Sequence, residues 1–158
     1  KALMNTPERE PTVMLPTPPE ENAESLFQKG KTLFDSSSFV GARANFSAAM
    51  EKTGDSTAIQ DAYFFNAVSY WREGNHRLTI QECQRLLERF PQGKWSAAAH
   101  YHIGLGYKDL GDTTQARFHF NYVLKNFSSD AYVAKLVKER LAELPRRTLW
   151  QWLKDLFV

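Results

Sequence analysis

The sequence predicts an all-α protein: an α-solenoid of three helix hairpins, closed by a capping helix and followed by an amphipathic tail helix. Three observations carry this. Apolar residues recur at helical spacing from Glu20 to Leu144, with no sustained strand alternation. A step of 37 residues relates three consecutive stretches of the chain. Proline, which ends helices, is confined to Pro7, Pro11, Pro16, Pro18 and Pro19 before this region, Pro91 inside it and Pro145 after it. At 158 residues the chain is long enough to bury a core without a disulfide or metal staple.

Residues 1–19 read as a Pro-rich extended leader or linker, with Val13, Met14 and Leu15 as its apolar cluster. Helices are expected at about 20–35, 39–53, 58–73, 76–90, 94–110, 113–126 and 129–144. Turn residues separate them: Ser36–Ser38, Gly54–Asp55, Gly74–Asn75, Pro91–Gly93, Gly111–Asp112 and Ser128–Asp130. Paired, they make repeats over about 23–56, 60–93 and 97–130 within a domain spanning 20–144. The last helix has Val133, Leu136, Val137, Leu141 and Leu144 on one stripe and Lys135, Lys138, Glu139 and Glu143 off it. That half-exposed pattern fits the cap of an array.

The 37-residue step links Gly30, Ala67 and Gly104; Leu33, Tyr70 and Tyr107; Ala42, Thr79 and Ala116; and Phe46, Cys83 and Phe120. Small residues let two helices of a hairpin approach closely. The larger residues, one turn away on the same face, fill the space between them. Thr79 and Cys83 make the middle repeat the least regular.

These columns resemble the tetratricopeptide repeat, most clearly in Gly104, Tyr107, Gly111, Asp112, Ala116 and Phe120, with Tyr70, Gly74 and Pro91 from the second repeat. The family's early Trp is Leu26, Tyr63 and His100 here, and the period is longer than the usual 34 residues. Phe90-Pro91-Gln92-Gly93-Lys94-Trp95, followed by Ala98, Tyr101, Gly104 and Tyr107, resembles the long-period repeats of bacterial envelope proteins. It is most similar to the repeat types of the periplasmic coordinator of the Tol–Pal system and the lipoprotein subunit of the outer-membrane β-barrel assembly machine. That resemblance implies a periplasmic or outer-membrane-associated protein, with the cytoplasm as the alternative.

Several chemistries are excluded as expectations. A net charge of +2 makes no bulk case for nucleic acid. No apolar run is long enough to span a membrane. Gly104-Leu105-Gly106 lies in a helical pattern and lacks the strand context of a phosphate loop. His100 and His102 point to different sides of one helix; His102 and His119 could meet across a hairpin, but two separate histidines, partly buried or on the surface, are expected. Neither makes a metal site. Cys83 occupies a core column and reads as a buried, inert thiol. No nucleophile–base–acid order is visible, so a non-catalytic protein with no cofactor and no metal is expected.

An array of this kind acts through its concave surface, which the family lines with the first helix of each repeat. The expected groove residues are Phe27, Lys31 and Phe34, then Phe64, Val68, Trp71 and Arg72, then Tyr101, Leu105 and Lys108. Aromatic and Arg residues are the usual binding anchors. Phe27, Phe64 and Tyr101 also lie 37 apart, which equally suits packing between repeats. Trp71 and Arg72 stand at variable columns. Chaperone-binding members of the family clamp a C-terminal carboxylate; the matching positions here are Phe27, Lys31, Phe65, Ala98 and His102, so such a clamp is not expected.

The tail, 145–158, places Leu149, Trp152, Leu153, Leu156 and Phe157 on one helical face, beside Trp150. Three covers suit that face: the chain's own array, a groove on a partner or second copy, or a membrane interface. The function expected is a protein–protein interaction adaptor in an envelope complex, holding a peptide or helix in an aromatic groove. The alternative is a structural subunit of a fixed oligomer, its tail packed on a neighbour or a membrane surface.

Overall fold

The computed structural model describes residues 21–54 and 56–145. The leader and the tail beyond Pro145 lie outside the described residues. Within them the chain forms seven helices and no strand: α1 (Ala23–Asp35), α2 (Phe39–Met50), α3 (Thr57–Arg72), α4 (His76–Arg89), α5 (Ser96–Asp109), α6 (Thr113–Asn126) and α7 (Ala131–Glu143). Five of these begin on a side chain that accepts a free N–H of the first turn. Asn22 accepts from Ser25, Ser56 from Ile59, Asn75 from Leu78, Asp112 from Gln115 and Asp130 from Val133.

Each hairpin turns on one left-handed residue. Gly74 and Gly111 have φ of 74° and 85°, and Ser37 takes the same place in the first hairpin at 61°. The following N–H returns to the helix behind it: Ser38 to Leu33 O, Asn75 to Tyr70 O and Asp112 to Tyr107 O, at 2.8–2.9 Å. The repeat therefore extends to backbone hydrogen bonds.

The small-residue columns have a direct cause. A Cβ on Gly30 would lie 2.6 Å from the Phe46 ring, and one on Gly104 would lie 2.5 Å from the Phe120 ring. Both rings are fully buried. In the middle repeat both columns change together: Ala67 replaces Gly and Cys83 replaces Phe, each fully buried. A methyl added on one helix is matched by volume removed from the other, as a close-packed interior requires. Cys83 is thus a packing residue; burial, with Glu82 beside it, pushes its thiol pKa up.

Consecutive repeats stack mainly through the second helix of one and the first helix of the next, α2 on α3, α4 on α5 and α6 on α7. The first helices also touch, α1 on α3, α3 on α5 and α5 on α7, whereas α2, α4 and α6 make no such contacts with one another. First helices lie closer together than second helices, so the stack curves with α1, α3, α5 and α7 inside. The Phe90–Trp95 stretch joins the second repeat to the third. Trp95 stacks on Phe64 at 4.1 Å between ring centroids and donates to Asp61 at 2.6 Å. Arg89 ties repeat one to repeat two, reaching Gly54 O at 3.1 Å and Met50 O at 3.4 Å.

Candidate functional site

The inner face holds part of the expected groove and moves the rest into the core. Phe27, Phe34 and Phe64 are buried, so they are not open contact residues; Leu105 is buried too but lines the pocket described below. Phe27 and Phe34 pack on Phe46, with ring centroids at 5.9 and 6.5 Å. Phe64 is covered by Trp95, and Asp61 is held by Trp95 and by Lys94 at 2.6 Å. The reason is geometric: the stacking flank of each first helix, which meets the next repeat, lies directly beside its open flank. A helical wheel cannot separate the two.

Lys31, Val68, Trp71, Tyr101 and Lys108 are half-buried, and Arg72 is exposed. Around them stand residues the repeat did not single out. Phe65 is half-buried, 5.4 Å from Phe34 in an edge-on contact, with Lys31 Nζ 5.4 Å from its centroid. His102 lies between Trp71 and Tyr101, at 5.4 and 5.6 Å. Arg140 of α7 completes the far end beside Tyr101 and is paired with Glu143. Phe65 and His102 had a signal, since they fall at clamp positions. Arg140 had none, because α7 stands outside the 37-residue period.

Trp71, Tyr101, His102, Leu105, Lys108, Asp109 and Arg140 line a pocket of ≈ 310 Å³. Its walls are aromatic and aliphatic and its rim is of mixed charge, with Lys108 and Arg140 beside Asp109 and Glu143. His102 Nδ1 is buried with no hydrogen-bond partner, and burial lowers the imidazole pKa to about 4, so the ring is neutral at pH 7. Lys31 is engaged by Asp35 at 2.6 Å and Lys108 lies 3.6 Å from Glu143. Arg72 has its guanidinium 5.9 Å from the Phe34 ring and no carboxylate partner among the described residues.

The clamp positions therefore present the Phe27–Phe65 ring pair, a lysine already paired, Ala98 and a neutral imidazole. Such a surface solvates no carboxylate well. His102 and His119 do not meet, in keeping with the expectation of two separate histidines. His100 faces His119 instead, Nδ1 to Nδ1 at 3.1 Å. Helix α5 aims residue 100 at α6 and residue 102 at α3. Among the described residues no three His, Cys, Asp or Glu side chains converge as metal ligands.

No protein-family model matches the chain. A stretch of 76 residues is 37% identical to sperm-associated antigen 1 of Mus musculus, covering 45% of this chain and 8% of that protein. The fold is similar to that of the Hsp90 co-chaperone Cns1 from Saccharomyces cerevisiae, with a TM-score of 0.63 at 17% identity, covering 77% of this chain and 39% of that one. The fold is thus a tetratricopeptide-like helical array. The relatives come from a mouse and a yeast, eukaryotes without a bacterial periplasm or outer membrane. They overturn the periplasmic and outer-membrane placement, and neither is a bacterial envelope protein.

Proposed function

We propose that this chain is a non-catalytic interaction module that holds an amphipathic peptide or helix on its inner face. The observation that carries the reading is the open aromatic pocket of Trp71, Tyr101 and Leu105, rimmed by Lys108, Asp109 and Arg140. An apolar anchor residue of the partner fills that pocket, and an acidic residue about one or two turns away meets Arg72. The anchor contributes most of the affinity, because a large side chain buried in a pocket is worth about 1.5–3 kcal/mol. A free C-terminal carboxylate is not the recognised group, since the positions that would clamp it are apolar or neutral.

A display library of helix-forming peptides, selected on the full chain, tests this. Selected peptides are expected to share an aromatic or Leu anchor with Asp or Glu nearby. Trp71→Ala should weaken their binding about 10- to 100-fold and Arg72→Ala about 3- to 10-fold, with helical circular dichroism unchanged. Equal binding by wild type and both variants would remove the groove assignment. The alternative of a fixed oligomer predicts a solution mass that rises with concentration.

A further inference from the structure

The third hairpin carries a second groove, on the side of α6 away from the core. Thr114, Arg117, Phe118, Asn121, Tyr122 and Lys125 line it, around ≈ 560 Å³. Their spacing makes one stripe along α6, while Ala116, Phe120 and Val123 point into the core. Phe118 is 58% exposed.

The repeat does not ask for these aromatics. One step of 37 earlier, Phe118 and Tyr122 correspond to Gln81 and Arg85; two steps earlier, to Ala44 and Ala48. The outer columns are polar or small in repeats one and two, and aromatic in repeat three. The aromatic stripe therefore belongs to the C-terminal end of the array and not to the repeat.

The chain itself arrives there. α7 runs antiparallel to α6, and at its end the Pro145 carbonyl accepts from Arg117 Nη2 at 2.5 Å. Arg117 stands at the beginning of the aromatic stripe. The 13 residues that follow, Arg146–Val158, span about 20 Å as a helix, against about 21 Å for the 14 residues of α6. Their sequence carries the apolar stripe Leu149, Trp152, Leu153, Leu156 and Phe157. Laid parallel to α6 from Pro145, this stripe reaches Phe118 first and Tyr122 next.

We infer that Arg146–Val158 docks as an amphipathic helix on the outer face of α6 of its own chain, covering Phe118 and Tyr122. A helix of 13 residues is marginal alone in water and gains its stability from such a covered face. The tail then serves as a second cap of the array and leaves the inner groove free for a partner.

Hydrogen exchange on the full chain at micromolar concentration, with the mass read in parallel, decides this. Amides of 149–157 are expected to exchange at least 10-fold more slowly than an unstructured reference while the mass is that of a monomer. Phe118→Asp with Tyr122→Asp should abolish this protection and leave α1–α5 protected. Leu153→Asp, which leaves α6 untouched, should abolish it as well. Protection that appears only where the mass doubles gives the face to a second copy and overturns the proposal. Protection that appears only on adding anionic phosphatidylglycerol vesicles gives the tail to a membrane and does the same. So does tail protection that survives Phe118→Asp with Tyr122→Asp.

Discussion

Adding one methyl at Gly104 tests the packing logic of the repeat. The new Cβ falls 2.5 Å from Phe120 Cε1, 2.7 Å from Cδ1 and 3.1 Å from Cζ. Carbon atoms rest at about 3.5–4.0 Å, so the ring must retreat by about 1 Å. It has little room: Phe120 is fully buried and Tyr101 stands 6.0 Å away, centroid to centroid. Overpacking a closed core costs about 1–3 kcal/mol, and a displacement of this size belongs at the upper end. Replacing Gly by Ala in a helix interior returns about 1 kcal/mol. The net expectation for Gly104→Ala is a loss of about 2 kcal/mol. In urea that moves the unfolding midpoint down by about 1 M, at a slope of about 2 kcal/mol per M. Gly41→Ala is the contrast, because its methyl meets only the tip of Leu33, at 3.3 Å. It should leave the midpoint unchanged or raise it. Pairing Gly104→Ala with Phe120→Leu should recover part of the loss, as Ala67 with Cys83 does in the middle repeat. A Gly104→Ala protein that unfolds at the same or higher urea than the parent would refute the close-approach argument.

Other outcomes follow from single contacts. Ser37→Gly should stabilise by about 0.5–1 kcal/mol, since Ser37 holds the left-handed conformation that Gly74 and Gly111 adopt freely; equilibrium denaturation reads it. Asn66 Nδ2 donates to Glu82 Oε2 at 2.9 Å in the core, so Glu82→Ala strands a buried amide and should lose about 2 kcal/mol by the same measurement. The pH dependence has a definite sign. Burial lowers the pKa of His102 to about 4, of His100 to about 4 with His119 adding repulsion, and of His119 as well. The unfolded chain binds these protons from about pH 6.5 downward and the folded chain does not, so stability is full above pH 6.5 and falls toward pH 4. His102 contributes on the order of 3 kcal/mol to that fall. His102→Leu should flatten the thermal midpoint between pH 6.5 and 4.5, and an unchanged profile would contradict the reading that burial holds its imidazole neutral.

Much of the fold was legible because local chemistry repeats. Gly74, Gly111 and the Ser36–Ser38 run mark turns that the backbone makes with the same hydrogen bonds each time. The Gly30–Phe46 and Gly104–Phe120 columns mark where helices touch. The site was legible only in part. Trp71, Arg72, Tyr101 and Lys108 stand on the inner face as expected, but Phe27, Phe34, Phe64 and Leu105 are core. Phe64 and Phe65 are neighbours of one residue type. One is stacked under Trp95 and the other rests half-open beneath Lys31.

By itself the sequence determined the helices, their turns and the 37-residue register, because propensity, capping and small-residue spacing act within a few turns of chain. The tertiary structure decided which aromatics stay open, that His100 rather than His102 meets His119, and that Arg140 joins the groove. Those outcomes depend on how adjacent repeats rotate and stack, and that rotation is a sum over contacts between residues distant in the chain.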